Sequence, residues 1–333
     1  MVDTIRLATF NLENLDDGPG LIPSLADRIA VLRPQLVRTR ADILFLQEVN
    51  GQPAKAPRTL AALDALLEET PFAGFARAVS ESPHGGPMDK QNLVILSRWP
   101  IGERRQLWHE RVTPPRYRPV TAVPAAGEAE AQKWDRPLLY ARIDLPSGQK
   151  LHAINLHLRA PLAAMIAGQK SGPFSWKSTS GWAEGFYLAA LKRSGQALEA
   201  RLLADALFDD DPQGMIAVCG DFNAETAETP TRILMAGDED TGNSALTERN
   251  LLAVEMTVAP ERRYSVIHAG RPLLLDHMLV SRPLSRWLRR AEIHNEGLVD
   301  ELVDYANEGH SPESHHAPVV VEFEMPMGGR PAT

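Results

Sequence analysis

Short apolar runs of strand length recur along the chain and alternate with stretches in which apolar residues repeat every three or four positions. Repeats of the second kind, at 25–36 and 60–67, predict two amphipathic helices, and a third over 188–202 is predicted to be the longest. The alternation indicates a layered α/β protein, and pattern alone leaves open whether its strands form a doubly wound sheet. The apolar runs predict strands at 5–10, 43–46, 72–79, 92–98, 138–145, 150–158, 215–220, 264–268, 274–280 and 317–324.

Two long segments follow neither period. Residues 109–137 are rich in proline and arginine, which predicts an extended surface loop. Residues 168–185 carry lysine and tryptophan among serine and glycine, and loops of this length are usually functional or disordered. Trp176 and Lys177 are suited to contacting a phosphate and a ring or apolar chain. The equally weighted alternative is a solvated loop whose tryptophans only pin it to the body of the protein. Arg136 immediately precedes a strand and is the arginine we favour for substrate contact.

Polar residues with catalytic or ligating groups follow the apolar strands. Asp221 and Asn223 come after the apolar run 215–219 and Gly220, and an extended backbone would direct both side chains to one face. A carboxylate orients or deprotonates water, and an amide donates to a phosphate oxygen without adding negative charge. An ordinary Asx-turn is the alternative for this motif. Four other strands adjoin such groups, namely Asn11, Gln47-Glu48, His157 with Asn155, and Asp276-His277, and His315-His316 opens a fifth.

In their order, these motifs resemble the endonuclease/exonuclease/phosphatase superfamily, which includes deoxyribonucleases, abasic-site endonucleases, neutral sphingomyelinases and inositol polyphosphate phosphatases. The match extends from residue 5 to residue 323. It implies an α/β fold of the α+β type, a four-layer sandwich in which two mixed, mainly antiparallel sheets pack together between helices. The motifs are Asn11, Gln47-Glu48, Asn92, Asn155-Leu156-His157, Gly220-Asp221-Phe222-Asn223, Leu275-Asp276-His277 and His316-Ala317-Pro318-Val319.

The resemblance also implies roles at a metal-phosphate centre. Glu48, with Asn11 nearby, would bind Mg²⁺ or Mn²⁺, because both ions accept hard oxygen ligands. Asn92 would contact the substrate, as we expect for Arg136, Trp176 and Lys177.

The catalytic residues are implied in the same way. Asp221 would orient or deprotonate the attacking water, and Asn223 would hold a non-bridging oxygen. His316, paired with Asp276, would stabilise the transition state, and His157 would donate to the phosphate or leaving oxygen.

His315 departs from the family pattern, which has an aspartate before the last histidine. If this imidazole faces the site, it is an additional but weaker Mg²⁺ ligand, and a second metal is in doubt. The alternative is that His315 turns outward. Glu13, two residues after Asn11, is weighed evenly between a site role and a structural one.

Composition favours one enzyme domain over residues 1–327, with 328–333 as a disordered tail. The 333 residues are 44% hydrophobic, and no linker divides them. The formal charge of −8, from 35 basic and 43 acidic residues, counts against a tight nucleic-acid binder. A local basic rim would still suffice for a nuclease.

The expected location and partners of the protein follow from signals that the sequence lacks. No signal segment or apolar run near ~20 residues is present, so we expect a cytoplasmic protein without stable membrane insertion. Cys219 is the only cysteine and is predicted to be a buried thiol. The expected partner is a phosphoester substrate, with nucleic acid as one alternative, and no protein partner is evident.

Three functions follow. The chain is predicted to be a divalent-metal-dependent hydrolase of phosphate esters with undefined substrate. The alternatives are a nuclease acting on DNA or RNA, and a catalytically weakened binding or regulatory protein on the same scaffold.

Overall fold

The computed structural model of the chain describes residues 2–53, 57–307 and 310–326. Within these residues the strands are β1 Val2–Leu15, β2 Ile43–Val49, β3 Ala76–Val79, β4 Asn92–Ser97, β5 Ile101–Leu107, β6 Arg116–Tyr117, β7 Glu130–Ala131, β8 Leu138–Asp144, β9 Lys150–His157, β10 Met215–Asp221, β11 Leu251–Ala253, β12 Val266–His268, β13 Arg271–Leu273, β14 Asp276–Ser281, β15 Leu288–Ile293 and β16 Val319–Pro326. The helices are α1 Leu25–Thr39, α2 Ala61–Leu67, α3 Thr179–Asp210, α4 Thr229–Met235, α5 Asp238–Thr241, α6 Arg282–Ser285 and α7 Glu301–Tyr305, with short 3₁₀ turns at Ser244–Arg249, Val254–Thr257 and Pro260–Arg262.

The larger strands form two six-stranded sheets. The first sheet has the order β15-β16-β1-β2-β4-β3, and the second has the order β11-β14-β10-β9-β8-β5. Within these sheets, β1 pairs with β2 and β9 pairs with β10 in parallel, whereas the other described pairs are antiparallel. Both sheets are therefore mixed and mainly antiparallel.

The central strands are buried on both faces. On β1, Ile5 and Leu7 belong to the core between the sheets, whereas Ala8 and Phe10 pack on the helix side. On β10, Met215, Ala217 and Cys219 likewise alternate with residues facing the other side. Because helices cover what solvent would otherwise reach, these strands have no polar face, and this explains their continuous apolar runs.

Helices form the two outer layers. The N-terminus of α1 is fixed by a capping box between Ser24 and Asp27, and its buried Leu32 and Leu36 join the core outside the first sheet. The long α3 packs on the second sheet through residues such as Leu203. The predicted four-layer sandwich is confirmed, and Cys219 is buried within it as predicted.

The prediction that 168–185 is neither helix nor strand is wrong for its last part, because α3 begins at Thr179. Ser178 caps this helix by accepting a hydrogen bond from the Gly181 N–H. Gly181 and Gly185 weaken the helical pattern in the sequence, but both let the preceding segment pack closely against α3. A Cβ at Gly181 would collide with Gln169, and a Cβ at Gly185 would collide with Ala164.

The segment 109–137 is anchored rather than free. It includes β6 and β7, and two buried glutamates of α3 accept its hydrogen bonds. Glu199 accepts from Trp134 Nε1 at 2.7 Å and from two backbone N–H groups. Glu184 accepts from the Tyr117 hydroxyl at 2.9 Å and from two further backbone N–H groups. Each carboxylate thus fixes part of the segment through charge-assisted hydrogen bonds.

The predicted tail, 328–333, lies outside the described residues. No helix among the described residues has the length and apolar character needed to cross a bilayer.

Candidate functional site

The strand ends place the predicted residues together at one edge of the sandwich. In the parallel pair β1–β2, Asn11 lies opposite Gln47, next to Glu48. In the second sheet, Asp221 at the end of β10 lies between His157 of β9 and Asp276 of β14. The two sheets pack face to face, so these ends converge on one cluster.

Two groups of potential metal ligands share Asp221. Glu48, His157 and Asp221 have ligand atoms within 4.8 Å of one another, as do Asp221, Asp276 and His316. His157 Nε2 lies 3.3 Å from Asp221 Oδ2 and 3.6 Å from Glu48 Oε1. The carboxylate of Asp221 is therefore the centre of the cluster.

Unusual backbone conformations direct these side chains. Gly220 has φ +141°, and a Cβ there would collide with the Leu156 carbonyl on the neighbouring strand. Glu48 has φ +59°, which is costly for a non-glycine residue and coincides with a register shift between β2 and β4. Such strain, of about 1–3 kcal/mol per residue, is typical of functional sites.

Asn11 links the two sheets through its amide. Its Nδ2 donates to Glu48 Oε1 and to Asp221 Oδ2, each at 3.1 Å, while its Oδ1 accepts from the Glu13 N–H. In this arrangement Asn11 orients the carboxylates. To ligate a metal through Oδ1, the amide would have to turn over and lose the Glu13 contact.

The Asx-turn that we weighed at Asp221 is present, but it does not exclude a site role. Asp221 Oδ1 accepts the Asn223 N–H at 2.8 Å, and Asn223 has φ +48°. Asn223 Nδ2 donates to Asp221 Oδ2 and to the Leu158 carbonyl, both at 3.0 Å. A phosphate oxygen would have to replace one of these acceptors to be held by Asn223.

Asp276 and His316 form a dyad. His316 Nδ1 lies 2.8 Å from Asp276 Oδ2, and its Nε2 lies 4.0 Å from Asp221 Oδ2. Asp276 is fully buried, whereas the His316 side chain keeps 15% exposure. Burial alone would lower the pKa of His316, but the negative charges of Asp276 and Asp221 raise it well above its ordinary value. The two carboxylates therefore favour the imidazolium form of His316.

Burial shifts the pKa values of the other two central groups in opposite senses. It raises the pKa of Asp221 to about 7, with the charges of Asp276 and Glu48 adding to the effect and His316 opposing it. It lowers the pKa of His157 well below its ordinary value, and the positive charges of Arg136 and His316 add to this. These shifts favour the neutral form of His157 and give Asp221 a pKa suited to a base near neutral pH.

The donor set fits a divalent cation. Three carboxylates, those of Glu48, Asp221 and Asp276, converge where a dication would relieve their repulsion. Asp276 Oδ1 and His157 Nδ1 are buried without a hydrogen-bond partner among the described residues. Carboxylate oxygens are hard ligands that suit both Mg²⁺ and Mn²⁺.

Arg136 lies beside this cluster. It is buried, donates to the His157 carbonyl at 2.9 Å and also contacts Gln91 Oε1. Asn92 is fully buried, and its amide bonds to the backbone of Met88 and Val49. These contacts shape the adjoining loop, and substrate contact by Asn92 stays a prediction.

Trp176 and Lys177 lie on the segment before α3, outside the two ligand groups. Trp176 packs in a small satellite core and against Gly185. The backbone of Lys177 pairs with the Gln169 carbonyl at 2.8 Å. These contacts favour the pinning role for Trp176, and substrate contact by either residue stays a prediction.

His315 does not join the metal ligands. Its Nδ1 lies 2.6 Å from Glu13 Oε1 and its Nε2 lies 3.1 Å from Asp304 Oδ2, so both ring nitrogens are occupied. Burial would lower the pKa of His315, but these two carboxylates raise it. Glu13 also accepts from the Tyr305 hydroxyl at 2.7 Å. This network ties α7 to the end of β1, which gives Glu13 a structural role.

Several supporting residues carry no signal in the sequence. Ser265 Oγ accepts the N–H groups of Leu275 and Asp276, each at 3.1 Å, and so fixes the start of β14. Arg193 of α3 donates to the Asn223 carbonyl at 2.6 Å. These contacts form no recognisable motif in the sequence, and only the folded structure reveals them.

Comparison with known proteins gives a consistent picture. None of the curated proteins searched matches the chain. The Bacteroides vulgatus endonuclease/exonuclease/phosphatase is similar over 97% of this chain and 100% of its own, with 15% identity and a TM-score of 0.58. Truncated Caenorhabditis elegans TDP2 is similar over 96% of this chain and 97% of its own, with 14% identity and a TM-score of 0.56. For the Bacteroides thetaiotaomicron mannosyl-6-phosphatase the shares are 95% and 98%, the identity 16% and the TM-score 0.56.

At these identities the solved structures show the shared fold alone. The sequence comparison goes further, because the model of the Endonuclease/Exonuclease/phosphatase family matches residues 8–298, which include Asn11, Glu48, His157, Asp221 and Asp276. The chain therefore belongs to the Endonuclease/Exonuclease/phosphatase family.

Proposed function

We propose that this protein is a divalent-metal-dependent hydrolase of phosphate esters. The observation that carries the proposal is the convergence of Glu48, Asp221 and His157 beside the Asp276–His316 dyad. Family membership and the mannosyl-6-phosphatase among the similar structures support the same reaction class.

The charge of each site residue determines its proposed role in the reaction. Glu48 and a carboxylate of the Asp221 group would hold Mg²⁺ or Mn²⁺, which supplies Lewis-acid stabilisation of the phosphate. Asp221, with a pKa of about 7, takes the proton from the attacking water. The imidazolium of His316 faces the negative charge that develops on the phosphate oxygens, and Asp276 keeps it protonated.

Two further groups complete the site. Neutral His157 donates through Nε2 to the phosphate or the leaving oxygen. Arg136 adds positive charge at the wall of the site, although its contact with the His157 carbonyl makes positioning part of its role.

The test is a panel of phosphoesters assayed with Mg²⁺, with Mn²⁺ and with excess chelator. The panel contains bis-p-nitrophenyl phosphate, sugar phosphates, inositol phosphates, sphingomyelin, plasmid DNA and an RNA oligomer. At least one substrate should be hydrolysed, with loss on chelation and recovery on adding either metal. Hydrolysis confined to the nucleic acids would favour the nuclease alternative, and no hydrolysis at all would favour a catalytically weakened scaffold.

Two variants test the assigned chemistry. His316→Ala and Asp221→Ala should each lower turnover by at least about 10²-fold, because both groups act mainly in the transition state. Asp42→Asn is the matched control, since Asp42 is also a largely buried carboxylate but precedes β2 at its opposite end. Full activity in excess chelator, or normal turnover in both site variants, would refute the proposal.

A further inference from the structure

Two segments next to the site form a separate, internally bonded unit. We call residues 117–126 and 160–187 the apolar lobe. Val123 N donates to the Ala167 carbonyl at 2.9 Å, and Ala164 N donates to the Gly185 carbonyl at 2.8 Å. A satellite core around Ile166 lies beneath the lobe.

The outer surface of this lobe is unusually apolar. Phe174 is 95% exposed, Met165 79%, Val120 77% and Leu162 70%. Eight of the 18 exposed large hydrophobic side chains of the described residues lie in the lobe, the other four being Val123, Trp182, Phe186 and Tyr187. Scattered exposed apolar residues are ordinary, but such a concentration marks an interaction surface.

The protruding residues are rigidly presented. Phe174 lies in a tight turn closed by an antiparallel bridge between Lys170 and Trp176. Lys170 Nζ lies 4.9 Å from the centre of the Trp176 ring and donates to the Pro173 carbonyl at 2.7 Å. Trp182 and Phe186 stack along one face of α3, with ring centres 5.4 Å apart. The exposed side chains of Phe174, Trp182 and Phe186 are therefore held in place by contacts within the lobe.

The charge of the two segments is opposite to that of the chain. Residues 117–126 contain one arginine, Arg118, and no acid, and residues 160–187 contain two lysines, Lys170 and Lys177, and one acid, the buried Glu184. With three cations and one acid the lobe thus carries +2, whereas the whole chain carries −8. A positive rim around protruding apolar side chains is complementary to a surface that is anionic outside and apolar beneath.

The lobe adjoins the candidate site. The second segment of the lobe begins at residue 160, three residues after His157. The helix α3 starts within this segment, and its Arg193 donates to the Asn223 carbonyl. A surface bound by the lobe would therefore lie close to the metal cluster.

We propose that the apolar lobe docks reversibly onto an anionic lipid surface. Phe174, Met165 and Leu162 enter the interfacial zone, and the three cations of the lobe, Arg118, Lys170 and Lys177, contact the headgroups. Nucleic acid is the less suitable partner, because Met165, Val120 and Leu162, three of the four most exposed side chains of the lobe, offer no ring for base stacking. The exposed rings of Trp182 and Phe186 already stack on each other. A symmetric pair of copies would bring two basic rims together, which disfavours self-association through this face.

The experiment is co-sedimentation with vesicles in chelator, so that its outcome does not depend on catalysis. Vesicles of phosphatidylcholine containing one-third phosphatidylglycerol should bind the protein, whereas pure phosphatidylcholine should bind it at least about tenfold more weakly. Raising the salt from about 0.1 to 0.5 M should weaken the binding, because screening shortens the range of the headgroup attraction.

The double variant Phe174→Ser/Met165→Ser should lower the partition into anionic vesicles by at least about tenfold, since two large apolar side chains no longer leave water. The control is Ile22→Ser/Leu302→Ser, which removes two exposed apolar residues outside the lobe and should bind as the wild type does. Equal melting temperatures of both variants would establish that folding is unaffected.

Three results would overturn the proposal. The first is absence of binding to anionic vesicles, and the second is equal binding by the lobe variant and its control. The third is evidence for a different partner, with no binding to vesicles. That evidence would be binding of single-stranded DNA in fluorescence anisotropy, or a dimer in light scattering, provided that the lobe variant abolishes it.

Discussion

Replacing Asp276 with asparagine tests the charge on which the proposed mechanism depends. The substitution keeps the size of a fully buried side chain and its contact with His316 Nδ1, which is 2.8 Å long. It removes the negative charge that helps to keep His316 protonated. It also places either an amide NH₂ or an oxygen where Asp276 Oδ1 lacks a partner among the described residues.

The magnitude follows from the single contact that changes. A hydrogen bond to a charged group contributes about 1.5–3 kcal/mol, so the imidazolium should lose stabilisation of this order. If the imidazolium acts in the transition state, turnover should fall by about 10- to 150-fold at saturating metal. The pKa of His316 should fall from its raised value toward the ordinary one.

Two measurements check this prediction. In the wild type, turnover should decline as the pH rises through the raised pKa of His316, and in Asp276→Asn this decline should begin at lower pH. Nuclear magnetic resonance of the imidazole nitrogens follows the same titration without any substrate. Asp42→Asn is again the control and should change neither. Normal turnover together with an unmoved His316 titration would refute the role of the dyad.

Three further predictions concern stability and metal binding. Glu199→Gln should lower the free energy of unfolding by about 1.5–3 kcal/mol in denaturant titrations, because an amide cannot accept all three N–H groups. The control Glu248→Gln, at an exposed glutamate, should leave the free energy of unfolding unchanged. Although burial lowers the pKa of His277, buried Glu255 raises it overall, so this pair stabilises the fold fully below the ordinary histidine pKa and less as pH rises through the folded value. His277→Gln should flatten that part of the pH–stability curve, and an unchanged slope would contradict the assignment. His315→Asp should lower the melting temperature by bringing a third carboxylate to its two acidic partners, yet leave Mg²⁺ affinity unchanged in calorimetry; tighter Mg²⁺ binding would show that residue 315 reaches the metal.

The central strands were predictable because of their burial. Helices and the facing sheet cover both sides of β2 and β10, so the sequence there is a continuous apolar run. Two edge strands, β5 and β15, were missed for the opposite reason. β5 and β15 have one neighbour each and expose charged residues, which removes the apolar signal from their sequences.

The sequence by itself determined the layered class, the order of the motifs and the chemical types that end the strands, because burial and local backbone geometry leave direct marks on residue choice. Tertiary structure alone decided how those ends combine. Strand pairing placed Asp221 between His157 and Asp276, and burial there raises its pKa to about 7. Folding likewise brought Glu13, 302 residues away along the chain, against Nδ1 of His315, while Asp304 occupies Nε2. Such contacts depend on long-range pairing, which no local pattern of residues encodes.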